Sequence, residues 1–189
     1  GHIDHDGAET VAAHLEVAGV SLSNRGGRLA QHGSGDARFD LAGALDNTGG
    51  KLESNAATFT LAAGSLDNTR GTITHAGAGR FDLTSGVVTN TGGLLAGNGA
   101  VDIAAHDFAN TQGRVTAGST LTVAAQGTLA NDEGELTAGA GVHLTAGDAL
   151  ANRGGKVSAR GELEITAGGA LDNRAGSIEA AGAHGSIAL

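Results

Sequence analysis

The chain has no cysteine, proline, methionine, tryptophan or tyrosine, and four phenylalanines are its whole aromatic content across 189 residues. Without cysteine there are no disulfides, which alone says nothing of compartment but suits a polypeptide that crosses membranes unfolded and folds outside the cell. Without proline, every residue keeps the backbone N–H that a sheet ladder needs. No apolar run approaches the roughly 18–20 residues of a membrane-spanning helix. Lys51 and Lys156 are the only lysines, and the net charge is −9. Nucleic acid and anionic membrane surfaces are thereby disfavoured as partners, since both demand a basic stripe. The acidity reads instead as a solvated surface that resists aggregation.

What is abundant is glycine, 34 residues, and it recurs in register. The octapeptide LDNTGGKL at Leu45–Leu52 returns as LDNTRGTI, LANDEGEL, LANRGGKV and LDNRAGSI. Aligned on asparagine, the copies fall at Asn24, Asn47, Asn68, Asn90, Asn110, Asn131, Asn152 and Asn173, with spacings of 23, 21, 22, 20, 21, 21 and 21 residues. Three positions later stand Gly27, Gly50, Gly71, Gly93, Gly113, Gly134, Gly155 and Gly176. The positions two before and five after each asparagine are always apolar. Self-similarity at such a period is the mark of a repeat architecture.

Between these blocks lies an apolar-x-apolar triplet: Phe39/Leu41, Phe59/Leu61, Phe81/Leu83, Val101/Ile103, Leu121/Val123, Val142/Leu144, Leu163/Ile165 and Ile187/Leu189. Its alternation is that of a half-buried strand. An earlier Leu15-Glu16-Val17 and a Gly1-x-Ile3 fragment extend the pattern backwards, as expected of a slice of a longer array. Helix is excluded, because a glycine in every copy would cost about 1 kcal/mol each time and no 3.6-residue periodicity exists. About three short strands per copy, each copy one turn stacked about 4.8 Å on the next, describe an all-β parallel β-helix. The expectation is a single solenoid over residues 1–189, about 8–9 coils of roughly 21 residues, with a partial coil at 1–21 and full coils from about 22 to 189.

Two residues after an inward Leu, the asparagine faces inward if its strand persists. A buried amide needs partners, and asparagine stacked on asparagine supplies them as a ladder. The glycine column is expected to turn the corner with positive φ. Asn and Gly are thus read as structural, and Thr48, Thr69, Thr91, Thr111, Asp132, Arg153 and Arg174 as outward.

The L-x-N-x-x-G-x-[LIV] block at this period resembles, over essentially the whole chain, the repeats of filamentous haemagglutinin and related two-partner secretion exoproteins. That group includes the contact-dependent growth inhibition proteins of Gram-negative bacteria. The resemblance implies a right-handed β-helix forming the shaft of a secreted, surface-held adhesin filament that presents or spaces a binding surface for host or neighbouring cells. It also implies export through a dedicated outer-membrane transporter. The alternative is the stalk of a growth-inhibition toxin-delivery protein. A monomer is expected, with weak end-to-end association through unpaired strand edges.

Chemistry is sparse. His2-x-x-His5 with Asp4 and Asp6 is the densest metal-like cluster; His14, His32, His75, His106, His143 and His184 are read as loop or outward residues forming no column. GSGDARFDL at Gly33–Leu41 lacks the nine-residue repeat of calcium-binding nonapeptides, and no helix follows the GNG at Gly97–Gly99 to bind phosphate. Parallel β-helices also host polysaccharide lyases and hydrolases, so Asp40, Asp82 and Asp102, all at the middle of a triplet, form the rival catalytic reading. Fold analogy alone makes no enzyme. The expectation is no catalysis, no metal and no cofactor. Any adhesive contact is expected in the irregular first half, where Asp4–His14 and Ala30–Arg38 exceed the later loops.

Overall fold

The computed structural model describes residues 1–182 and the backbone of 185–188. His184 and Leu189 lie outside the described residues, and so does the side-chain placement of the last triplet. All the described regular structure is strand, and every pairing is parallel. The chain winds as a β-solenoid. One sheet takes a strand from each turn, nine in all, from Glu9–Ala12 to Ser177–Ala180. The other has fourteen strands and wraps the two remaining faces.

How it wraps them depends on a single residue. From Phe59, Phe81 and Val101 to the next asparagine is nine residues, and there one strand covers both faces: Phe59–Asp67, Phe81–Thr89 and Val101–Ala109. From Leu121, Val142 and Leu163 it is ten. The extra residue breaks the strand, as in Leu121–Ala125 followed by Leu129–Ala130. In Ala37–Asp46 the same surplus is absorbed as a bulge between Leu41 and Ala44.

That bulge corrects the triplet alignment. Phe59 is paired with Ala37, not Phe39, and Phe39 with Leu61; Val17 in turn pairs with Phe39. The inward column therefore runs Ala37, Phe59, Phe81, Val101, Leu121, Val142, Leu163. Asp40 moves out of register with Asp82, which pairs with Thr60 and Asp102.

The core is a continuous aliphatic column filled by the repeat positions, with Leu52, Ile73, Leu95, Val115, Leu136 and Val157 all fully buried. Phe39, Phe59 and Phe81 meet where small residues leave room, the last two stacked at 4.8 Å. No single turn can bury such a stripe; its neighbours do.

Candidate functional site

The asparagine column lies wholly inside, with Asn24 to Asn152 fully buried. Each amide Nδ2 donates to the Oδ1 of the asparagine one turn on: Asn24 to Asn47, Asn47 to Asn68, Asn68 to Asn90, Asn90 to Asn110, Asn110 to Asn131 and Asn131 to Asn152, all at 2.7 Å. Asn152 donates to the half-buried Asn173 at 2.6 Å. The second amide proton of Asn110 is shared between the carbonyls of Gly113 and Glu135, at 3.1 and 3.3 Å. The ladder has one direction, so its dipoles reinforce one another. At its start His5 stands in for asparagine, its Nδ1 2.8 Å from Asn24 Oδ1 and its Nε2 2.9 Å from Thr10 Oγ1.

The glycines need a different explanation from the expected one. Positive φ falls one residue earlier, at Gly26, Gly49, Arg70, Gly92, Gln112, Glu133, Gly154 and Ala175. That is the third residue of a turn closed, for example, by Gly113 N–H donating to Asn110 O at 3.0 Å. Side chains are tolerated there because they point into solvent. The column Gly27, Gly50, Gly71, Gly93, Gly113, Gly134, Gly155 and Gly176 is glycine for lack of space. A Cβ on Gly113 would stand 2.5 Å from Asn110 Oδ1 and 2.9 Å from Asn90 Nδ2.

Outside, the aspartates of the repeat finish the corner. Asp46 and Asp67 accept the N–H of Thr48 and Thr69 at 3.0 and 2.9 Å. Where alanine replaces that aspartate, Asp132 accepts the N–H of Arg153 instead, at 2.9 Å. Burial opposes ionisation of Asp46, but Thr48 and Arg25 prevail and its carboxyl titrates below the usual range. Arg174 and then Arg153 hold Asp172 well below it. Thr128 lowers Asp107, and Ser23 with the Arg25 N–H lowers Asp6. Thr48, Thr69, Thr91 and Thr111 form a half-exposed row.

The catalytic reading reduces to Asp82 and Asp102, side by side in adjacent turns. Arg80 lies between them, its Nε 2.6 Å from Asp82 and 2.8 Å from Asp102. Both carboxylates are thus paired with one guanidinium. Asp40 is occupied by Arg38 at 2.8 Å. Among the described residues no group of three or more His, Cys, Asp or Glu converges as a metal would require. His2 contacts Ser21 while His5 enters the ladder. A shallow groove follows the bend of the larger sheet, lined by Thr84, Ser85, His106 and Gln126 among small residues.

Four buried polar side chains escaped the sequence reading: Gln31, Ser54, His75 and Ser85. Gln31 faces inward, where its Oε1 accepts the Leu15 N–H at 2.7 Å and its Nε2 donates to Gly35 O at 2.6 Å. This amide ties the longer Ala30–Arg38 connection to the first turns. His75, expected outside, is 1% exposed. The signal was available: it lies two residues after the inward Ile73, so strand periodicity turns it inward too.

Two known proteins share parts of this pattern. The chain is 33% identical over 103 residues to the "tRNA nuclease CdiA-2" of Burkholderia pseudomallei (strain 1026b), covering 52% of the chain and 3% of that protein. It is 51% identical over 47 residues to the "Toxin CdiA" of Yersinia pestis, covering 25% of the chain and 1% of that protein. No family model matches, and no solved structure matches. The chain is therefore similar to short stretches of two very long toxins.

Proposed function

We propose that this chain is a stretch of the shaft of a large secreted exoprotein, held at the surface of a Gram-negative cell and exported through a two-partner outer-membrane transporter. Its work is mechanical: a monomeric rod that spaces a distal module from the cell and turns over no substrate. The observation that carries this reading is continuity. The amide ladder from Asn24 to Asn173 passes through every turn without a break to accommodate a site. The carboxylates with resolved shifts are all lowered, by serine and threonine hydroxyls, backbone N–H groups and arginines, the opposite of what a general acid needs.

The likeness to stretches of two toxins favours the stalk of a growth-inhibition protein over a host adhesin. An adhesive role is supported by exposed apolar side chains, two of them in the first turns, where Val11 and Val20 are 47% and 55% exposed, and a third further along at Val87, 44% exposed. The test is a set of internal excisions in the full-length exoprotein, in its own bacterium. Removing whole turns from Asn110 to Asn173 should leave surface display and inhibition of neighbouring cells intact. Loss of inhibition at undiminished display would overturn the spacer reading. So would products released from common polysaccharides by the native chain but not by Asp82→Asn/Asp102→Asn.

A further inference from the structure

Among the described residues, His75 is the buried side chain whose polar atoms, both ring nitrogens, have no hydrogen-bond partner. It ends the strand Thr72–His75, with its ring 6.1 Å from that of Phe59. Its column neighbours are Ser54 one turn before and Gly97 one turn after. The Ser54 hydroxyl accepts the Ala56 N–H at 3.2 Å, and Gly97 has no side chain to offer. Later turns place Ala117, Ala138 and Ala159 here, so the fold does not require a polar group at this position.

A neutral imidazole can be held in such a place, but an imidazolium cannot, because a buried charge needs a partner. The charged groups on the elements packed around it are Lys51, Glu53, Asp67, Asp82 and Arg80, and all lie on the outer surface. Glu53 is taken by Arg28 at 2.7 Å, and Arg80 lies between Asp82 and Asp102. The strand Leu94–Gly97 contributes no titratable group. Burial pushes the His75 imidazole below its ordinary range, with the Ser54 backbone pulling the other way.

We propose that His75 is an acid-sensitive release point within the rod: when its ring takes a proton, the connection from Ala76 to Arg80 and the end of its strand open to bring the ring to water, while the flanking turns stay stacked. The ties that must give are few. Asn98 Nδ2 donates to Ala76 O at 2.8 Å, Asn98 N to His75 O at 3.0 Å, Ala76 N to Ser54 O at 2.7 Å and, at the far end, Phe59 N to Arg80 O at 3.0 Å, where the Arg80 side chain is also held by Asp82 and Asp102. Each turn of a solenoid is held only by its neighbours, so an opening here leaves distant turns folded. The ring binds its proton more readily in the opened form. Stability is therefore intact above the ordinary histidine value of about 6.5 and is lost as pH falls from there through the depressed value of the closed form. The acidified rod has a loose joint where the neutral one is stiff.

The test is backbone hydrogen exchange on the 189-residue chain at pH 7.5 and pH 5, corrected for intrinsic exchange. Residues 72–80 and 94–99 should lose protection by at least about tenfold at the lower pH, with residues 129–159 unchanged. His75→Ala and His75→Ser, which install the residues of neighbouring turns, should each erase the dependence. The His75 ring signal in NMR should titrate below those of the exposed histidines. Exchange that ignores pH in the native chain overturns the proposal, as does an acid-induced loss that survives in both variants. A His75 ring that titrates with the exposed histidines overturns it as well.

Discussion

At the scale of the residue, adjacent positions of one octapeptide live in different solvents. Asn110 is fully buried with its Nδ2 2.7 Å from Asn131 Oδ1, while the neighbouring Thr111 is half exposed. Removing the amide leaves Asn90 without an acceptor and Asn131 without a donor, and each buried orphan costs about 1–3 kcal/mol. Asn110→Ala should therefore lower stability by about 2–5 kcal/mol, including the cavity, and Thr111→Ala by no more than about 0.5 kcal/mol. Equal denaturant midpoints for the two variants would show that the ladder contributes nothing. The inward direction of the asparagines was legible because they follow an inward Leu at the strand period. The reason for the glycines was not. Positive φ and lack of space both select glycine, and only the placement of Gly113 against the amides of Asn90 and Asn110 tells them apart. His75 was misread for a simpler reason: histidine was assigned by its chemistry to the surface, while the period of its own strand turned it inward.

At the scale of the element, the repeat tolerates length change at one place on its circumference. Nine residues from the first inward position to the asparagine make a single bent strand; ten make strand, turn, strand, or, in Ala37–Asp46, one bulged strand. Repeat counting from asparagine to asparagine saw the total and not its partition, which is why Phe39 was set over Phe59 when it pairs with Leu61, two residues further on. Deleting Gly127, whose N–H donates to His106 O at 2.7 Å, should convert the turn at Leu121–Ala130 into the bent form of Val101–Ala109. The expected cost is within about 1 kcal/mol. Deleting Thr137 from Glu135–Ala138 instead turns the rest of that strand's inward set outward, and should abolish cooperative unfolding. Thermal melts of the two deletions side by side check this, and similar losses would refute the partition.

At the scale of the whole molecule, a rod whose turns touch only their neighbours has a stability that sums over interfaces, so a whole turn is the natural unit of removal. Excising Asn110–Ala130 joins Ala109 to Asn131, and Ala109 and Ala130 already stand one above the other. The ladder closes from Asn90 to Asn131, Leu94 meets Glu135, and Val101 meets Val142. The exposed ion pair of Arg114 with Glu135, 2.8 Å apart, is lost at little cost. The shortened chain should keep one cooperative transition, with a lower midpoint and a rod about 4.8 Å shorter by small-angle scattering. Excising only Asn110–Thr120 removes a strand of the nine-stranded sheet and a rung of the ladder, leaving too little chain to encircle the core. That variant should expose apolar surface and unfold in a broadened transition, because the turns on either side face each other across an incomplete one. If the whole-turn excision is the more damaging of the two, the turns are not interchangeable, and the irregular early turns then act as a cap on which the later ones depend.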